Sequence, residues 1–223
     1  MLEGFKRPVS LVEATMDGIR RSIINGDLSL GQQLTESYLQ KSFGFSKTPI
    51  REALAQLKAE GIVVAEVNKG FRVFKMDEKE LSEFCEYRLA LESQALRSAY
   101  NNNKLELARV LKDFVNGFKK SIKENDLVKY NLTDTKFHKS FFILSSNRYL
   151  IKNYENINSI IETIRTHTGP GIVDNYKLID ALNGHISICK HIKAKNLNLA
   201  LEELDKHINS WHDDRITKSL LIS

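Results

Sequence analysis

Four residues in the C-terminal half of the chain are of the types and spacing that bind metal ions. Asp134 and His138 lie four residues apart, so on a helix both side chains project from one face about one turn apart. His185 and His207 fall on the last two predicted helices, and antiparallel packing could bring both against that face. Three imidazoles and one carboxylate suit a divalent cation such as zinc, nickel or manganese, with positions left open for water or a ligand.

The spacing of these residues leaves a simpler interpretation open. A lone histidine on a helix is more often a core or surface residue than a metal ligand. An aspartate and a histidine four residues apart often form only a hydrogen bond. The residue pattern therefore indicates a candidate metal site without excluding a structural role for all four side chains.

The elements that must position these side chains are helices. From residue 78 onward, apolar residues recur mostly at three- and four-residue steps, with breaks at asparagines and at a Gly-Pro-Gly sequence. The pattern predicts a bundle of about six helices, over 78–100, 104–124, 126–145, 148–167, 174–194 and 197–218.

The first third of the chain has a different pattern. A capping box at Ser10 begins one helix, a second short helix follows Thr35, and a third begins after Ser46 and ends at Gly61. Two β-rich runs then follow, separated by a turn at 68–70. The order helix, helix, helix and hairpin indicates a winged helix-turn-helix, and the whole chain is expected to be mainly α.

The start of the third helix has the chemistry of a nucleic-acid contact. Ser46 is a good N-cap residue, and Lys47, Thr48 and Arg51 lie on the polar face near the N-terminus. Residues 41–51 contain three basic and no acidic residues, and such side chains can reach phosphates or base edges. Each basic residue taken alone could equally be an ordinary solvated charge.

Residues 9–76 resemble the winged helix-turn-helix of GntR-type bacterial transcription regulators. The resemblance is carried by Ser46-Lys47-Thr48-Pro49-Ile50-Arg51-Glu52-Ala53-Leu54 and by Gly70-x-x-Val73. It implies DNA contacts from Ser37, Ser46, Lys47, Thr48 and Arg51, and from Lys69 and Gly70 at the tip of the wing. The family usually has Arg in place of Lys47 and Pro in place of Leu30. Lysine cannot make the planar bidentate contact of arginine, which affects the base preference at that position.

Residues 77–223 resemble the FCD ligand-binding domain of the FadR branch of that family. The matching residues are Asp134-x-x-Phe137-His138, Asn147-x-x-Leu150, His185-x-x-Ile188, Ala200 and His207. The resemblance implies that Asp134 and the three histidines bind a metal that helps to hold a carboxylate effector. One departure is Gly184, where a glutamate that could orient a ligand commonly precedes the histidine.

A carboxylate effector would also need a cationic side chain. Arg88 lies in a stretch that resembles the Arg-and-Glu pattern of the first bundle helix, and Arg165 lies near the end of another helix. Either guanidinium could clamp a carboxylate through two hydrogen bonds. Arg88 and Glu92 are four residues apart, so Arg88 could instead pair with Glu92.

Composition is consistent with a cytosolic regulator of two domains, over 9–76 and 77–223. The 223 residues are 42% hydrophobic and 27% charged, and the net charge is +5. No run approaches the roughly twenty apolar residues of a spanning helix, and no signal peptide is evident. Cys85 and Cys189 lie in apolar helical patterns and are expected to be reduced core residues.

The predicted function is a homodimeric, sequence-specific transcriptional regulator, most often a repressor in this family. It would bind an inverted-repeat DNA operator and respond to a small organic acid held in the metal-containing bundle. One alternative is a regulator for which the metal itself is the signal, with no organic effector. A metal-dependent hydrolase is the second, less favoured alternative, and no enzymatic activity is expected.

Overall fold

The computed structural model describes residues 10–67, 69–168 and 175–212 of the chain. The chain divides into two compact units, with the division between Lys75 and Met76. Each unit has its own hydrophobic core. The N-terminal unit is described first and the C-terminal helical unit second.

Three helices and a small sheet form the N-terminal unit, as the sequence predicted. The elements are α1 (Leu11–Ile24), β1 (Gln33–Leu34), α2 (Glu36–Phe43), α3 (Lys47–Ala59), β2 (Val63–Glu66) and β3 (Gly70–Val73). The predicted hairpin is part of a three-stranded antiparallel sheet in the order β1-β3-β2. Strand β1 has only two residues, too few for an alternating pattern to reveal it.

Local caps and turns fix the ends of these helices. The capping box of Ser10 and Glu13 begins α1, and the Thr35 hydroxyl accepts a hydrogen bond from the Tyr38 amide at the start of α2. Gly44 ends α2 in the left-handed conformation, at φ 73°, which glycine adopts without strain. Ser46 occupies the N-cap position of α3, but its side chain makes no capping hydrogen bond.

The C-terminal unit is entirely helical over its described residues. It contains α4 (Glu78–Lys123), α5 (Leu127–Ser145), α6 (Arg148–Thr168), α7 (Asn175–Lys193), α8 (Leu197–Asn209) and a short 3₁₀ helix (Ser210–His212). Helix α4 is interrupted at Asn103, where φ is −159° and ψ is 81°, at the break predicted between the first two bundle helices. The last predicted helix extended to residue 218, whereas α8 ends at Asn209, and residues 213–223 lie outside the described part of the chain.

Aromatic packing between α4 and α5 forms the centre of this unit. Phe118 lies 4.9 Å from Tyr130 and 6.0 Å from Phe137, ring centroid to ring centroid. Polar side chains are buried in the same interior, among them Arg88 and Glu92. Buried charges are costly unless they are paired, and Arg88 and Glu92 pair with each other. In the described part of the chain, no helix is long and apolar enough to cross a membrane.

Candidate functional site

The structure brings together the four residues that the sequence singled out as metal ligands. Asp134 and His138 come from α5, His185 from α7 and His207 from α8. Each offers one ligand atom, and these atoms all lie within 4.8 Å of one another. The i, i+4 spacing on α5 and the packing of α7 and α8 against the bundle therefore produce one cluster.

The distances within this cluster fit the coordination of a divalent ion. His185 Nε2 lies 3.4 Å from His138 Nε2 and 3.2 Å from Asp134 Oδ1. Two nitrogens bound to one tetrahedral zinc ion at about 2.0–2.1 Å each lie about 3.4 Å apart. The His138 and His185 side chains are fully buried, so few solvent molecules compete for the site. The donor set and its spacing fit a metal ion.

Electrostatics keep the cluster in the protonation states that bind metals. Burial lowers the pKa of His185, although Asp134 partly offsets this effect. Burial, reinforced by His185 and His138, holds the pKa of His207 well below its usual value. Burial alone would raise the pKa of Asp134, but Arg165 and the nearby histidines hold it well below its usual value. These shifts favour neutral imidazoles at His185 and His207 and an ionised carboxylate at Asp134, which are the forms that bind metal ions.

A glutamate that the sequence did not assign to the site supports one of the ligands. Glu92 Oε2 lies 2.6 Å from His138 Nδ1, and Arg88 Nε donates to Glu92 Oε1 at 2.6 Å. Burial acts to raise the pKa of Glu92, but Arg88 and His138 hold it at about 2. The signal in the sequence is the i, i+4 spacing of Arg88 and Glu92, which predicts a pair on one helix and contains no information on the contact with His138.

The two candidate effector arginines have different surroundings. The Arg88 guanidinium is buried against Glu92 and lies 4.6 Å from the centroid of the Trp211 ring. Arg165 forms an ion pair with Asp134 and donates hydrogen bonds to Thr135 Oγ1 at 2.8 Å and to the Asn131 carbonyl at 3.2 Å. Arg165 retains 13% side-chain exposure beside the cluster. Arg165 therefore contacts a candidate metal ligand directly, whereas Arg88 contacts Glu92, which in turn contacts His138.

Gly184 makes room for His207. A Cβ atom added at Gly184 would lie 2.9 Å from His207 Nδ1, closer than side chains tolerate. From the sequence, Gly184 predicts the loss of a glutamate that could orient a metal ligand. In the structure, Glu92 on α4 contacts a ligand instead, and the missing side chain at 184 lets α8 place His207 against α7.

The N-terminal unit exposes the residues predicted to contact DNA. Lys47, Thr48 and Arg51 are exposed at the start of α3, as is Ser46 before it. Arg51 is 65% exposed, and its Nε lies 2.5 Å from Glu36 Oε1 on α2. Ser37, also on α2, is exposed, and its hydroxyl lies 3.2 Å from that of Thr35. The basic end of α3 is thus accessible, with one arginine held by a carboxylate.

The tip of the wing carries the other two predicted contacts. Lys69 precedes β3 and Gly70 is its first residue; both are exposed, and Gly70 has φ 85°. The Gln33 side-chain amide on β1 donates a hydrogen bond to the Lys69 carbonyl. Strand β1 therefore tethers the tip of the wing, a contact that the sequence did not predict.

Comparisons with known proteins agree with both units. The model described as "Bacterial regulatory proteins, gntR family" matches residues 11–73, and the FCD domain model matches residues 83–210. The chain belongs to the gntR family of bacterial regulatory proteins. Its C-terminal FCD domain places it among the FadR-like members, as the resemblance predicted. The chain is accordingly a DNA-binding transcriptional regulator and not an enzyme.

Several relatives match this gntR-family chain over most of its length. The HTH-type transcriptional regulator YdhC of Bacillus subtilis (strain 168) is 28% identical over 91% of this chain and 89% of its own. The gluconate operon transcriptional repressor of Bacillus licheniformis is 28% identical over 86% of this chain and 79% of its own. The solved structure of E. coli McbR/YncC has a TM-score of 0.74 at 19% identity, and covers 91% of this chain and 95% of its own. That structure supports the fold.

The close approach at Gly184 leads to a prediction for this regulator. In Gly184→Ala, the new methyl group should displace the His207 ring and weaken zinc binding by about tenfold or more, since a ligand is moved from its position. The helix itself should not suffer, because alanine is favoured over glycine in helices by about 1 kcal/mol. Competition with a chelating dye measures the zinc affinity.

Asn183→Ala is the matched control, because Asn183 is the exposed neighbour of Gly184 on the same helix. It should leave zinc affinity unchanged. Equal zinc affinities for the wild type and Gly184→Ala would contradict the role assigned to Gly184.

Proposed function

We propose that this gntR-family regulator is a homodimeric repressor whose operator binding is controlled by a small carboxylate bound at a metal centre. The observation that carries the proposal is the convergence of Asp134 and three histidines beside the Arg165 guanidinium. Cationic groups from a metal and an arginine at one position favour an organic acid as ligand. Binding there would change the affinity of the N-terminal unit for DNA.

Zinc, nickel and manganese are the candidate metals, and Asp134, His138, His185 and His207 are the proposed ligands. A bound ion would supply a Lewis-acidic positive charge to an incoming carboxylate through its open coordination positions. The buried surroundings would strengthen that attraction relative to water. The family relationship supports this arrangement without identifying the metal.

Arg165 is the better placed of the two arginines to contact the effector. Its guanidinium already forms hydrogen bonds beside Asp134, and its side chain is partly exposed. A carboxylate effector would share this guanidinium with Asp134. A direct contact of Arg88 with the effector stays a prediction. The Arg88 guanidinium lies between Glu92 and Trp211 and would have to contact the effector in addition to them. The named target of one relative, a gluconate operon, supports an acid as the effector class.

The proposed DNA contacts come from the exposed start of α3 and from the wing. Arg51 can present its guanidinium to the O6 and N7 atoms of a guanine, provided that it exchanges or shares its contact with Glu36. Lys47, Thr48, Ser46 and Ser37 would add phosphate or base contacts, and Lys69 and Gly70 would follow the minor groove or backbone. A two-fold dimer would bind an inverted repeat.

Control by an effector requires two arrangements of the dimer with different effector affinities. The ligand can shift operator binding only by the difference between those two affinities. Repression relieved by an acid requires that the acid-bound arrangement fit the two half-sites less well. The names of relatives as repressors support this sign of regulation.

The proposed DNA interface predicts a specific loss in Arg51→Ala. The wild type, used to select duplexes from a randomised pool, should enrich a short inverted repeat, and its affinity should fall steeply with salt. Arg51→Ala should bind the selected duplex about 5- to 150-fold more weakly, because a bidentate guanine contact contributes about 1–3 kcal/mol of discrimination. Fluorescence anisotropy at two salt concentrations measures both effects.

Lys58→Ala is the matched control, because it removes one exposed positive charge from the last turn of the same helix. It should change affinity by less than the Arg51 variant. Normal binding by Arg51→Ala, or no enriched sequence with the wild type, would refute the proposed interface.

The proposed effector site predicts that Arg165 determines acid binding. A thermal-shift screen of small carboxylic acids against zinc-loaded protein should find a narrow set that stabilises the wild type. A ligand at a hundred times its Kd adds about 2.7 kcal/mol of stability. Arg165→Lys keeps the charge near Asp134 but loses the planar fork, so these acids should bind it about tenfold more weakly.

Arg148→Lys is the control on the same helix, where the guanidinium lies 4.8 Å from the Tyr149 ring centroid at the surface. It should bind the acids like the wild type. Metal-dependent operator affinity without any acid response would instead favour the metal itself as the signal. Acid binding unchanged in Arg165→Lys would refute the proposed effector contact.

A further inference from the structure

We propose that Glu92 and Arg88 are positioning residues that hold the His138 imidazole in the orientation and tautomer that metal binding requires. The proposal rests on the metal site of the proposed function and adds two residues that no comparison assigns a role. Neither residue would touch the metal. Their role would be to determine which nitrogen of His138 carries the proton before a metal arrives.

Both oxygens of the Glu92 carboxylate are engaged in the core. Oε1 accepts from Arg88 Nε at 2.6 Å, and Oε2 lies 2.6 Å from His138 Nδ1. Arg88 can only donate hydrogen bonds, and a carboxylate that is ion-paired with a guanidinium can only accept them. The hydrogen between Glu92 and His138 therefore belongs to His138 Nδ1.

In a neutral imidazole with its proton on Nδ1, the free lone pair is on Nε2, and Nε2 of His138 is the atom that faces the cluster. Nε2 lies 3.4 Å from His185 Nε2 and 3.9 Å from Asp134 Oδ2. A metal-binding histidine typically donates its second N–H to a carboxylate, which fixes the ring and its tautomer. Glu92 provides that support from a different helix, 46 residues before His138.

His185 shows the opposite arrangement. Its Nε2 lies 3.2 Å from Oδ1 of Asp134, a carboxylate that is ion-paired with Arg165 and accepts hydrogen bonds, so a proton on Nε2 is favoured. Its Nδ1 is buried and has no hydrogen-bond partner among the described residues. To bind a metal through Nε2, neutral His185 must move its proton to Nδ1, whereas His138 needs no such change. His138 is therefore the ligand that the fold prepares in advance.

The burial of the Arg88–Glu92 ion pair indicates that it has a role other than stabilising the fold. The Glu92 side chain is fully buried and that of Arg88 is 2% exposed. A buried ion pair is often no more stabilising than apolar side chains of similar volume. The hydrogen bond to His138 is a contact that such apolar side chains could not make. Trp211, the single tryptophan of the chain, packs on the Arg88 guanidinium and covers the pair.

The sharpest test is Glu92→Gln, because Arg88 can only donate hydrogen bonds. The new amide must present its oxygen to Arg88 and its NH₂ group to His138 Nδ1, which favours the wrong tautomer, with the proton on Nε2. Zinc affinity of the full chain, measured by dye competition, should fall about 10- to 100-fold. Glu83→Gln makes the same change at an exposed position of α4 and should stay within twofold of the wild type.

Nitrogen-15 NMR of the metal-free protein gives a readout that a purely structural role would not change. His138 in the wild type and in Glu83→Gln should carry its proton on Nδ1, and in Glu92→Gln on Nε2. The double variant Arg88→Met/Glu92→Leu removes both charges, so it should keep its thermal stability while losing zinc affinity. This second variant separates loss of positioning from loss of folding.

Each outcome bears on one of the two proposals. Zinc binding by the wild type together with unchanged affinity and tautomer in Glu92→Gln would overturn the positioning role and leave the metal centre intact. Absence of zinc binding by the wild type would overturn the metal centre of the proposed function. In that case the His138 tautomer, compared between the wild type and Glu92→Gln, would still test whether Glu92 determines which nitrogen of His138 carries the proton.

Discussion

The chain of contacts between Arg88, Glu92 and His138 is the constraint on which the geometry of the candidate metal site depends. Three polar side chains from two helices are buried together, and each forms a hydrogen bond with the next. Removing only Arg88 or only Glu92 would leave a buried charge without its partner, which is strongly destabilising. Helices α4 and α5 must therefore keep their register, and that register determines where the two ligands on α5, Asp134 and His138, lie.

A second ion pair, between the buried Asp134 and the partly exposed Arg165, involves another ligand of the same cluster. It joins α5 to α6, much as Glu92 joins α4 to α5. The candidate metal site is thus enclosed by groups that pair with its ligands. In the N-terminal unit, by contrast, the side chains proposed to contact DNA, Lys47, Thr48 and Arg51, are exposed to solvent. Exposed cations suit a polyanion such as DNA, and buried ligands suit a small ion.

Much of this architecture could be predicted from the sequence, because its signals are local. Caps, glycines and helical periodicity indicated the helices, and the i, i+4 spacing of Asp134 and His138 indicated one face of the cluster. Contacts that depend on distant residues could not be predicted in this way. The pairing of β1 with β3, the contact of Glu92 with His138 and the space left by Gly184 all join separate elements. Spacing along one helix contains no information about the helix that packs against it.

The metal content of the full chain, purified without chelators, tests the central claim most directly. Elemental analysis should find close to one zinc, nickel or manganese ion per chain, and the His138→Ala/His185→Ala variant should lose it. A chain without metal, or equal content in the wild type and the variant, would contradict the account. Asp134 and the three histidines would then be structural residues of the bundle core.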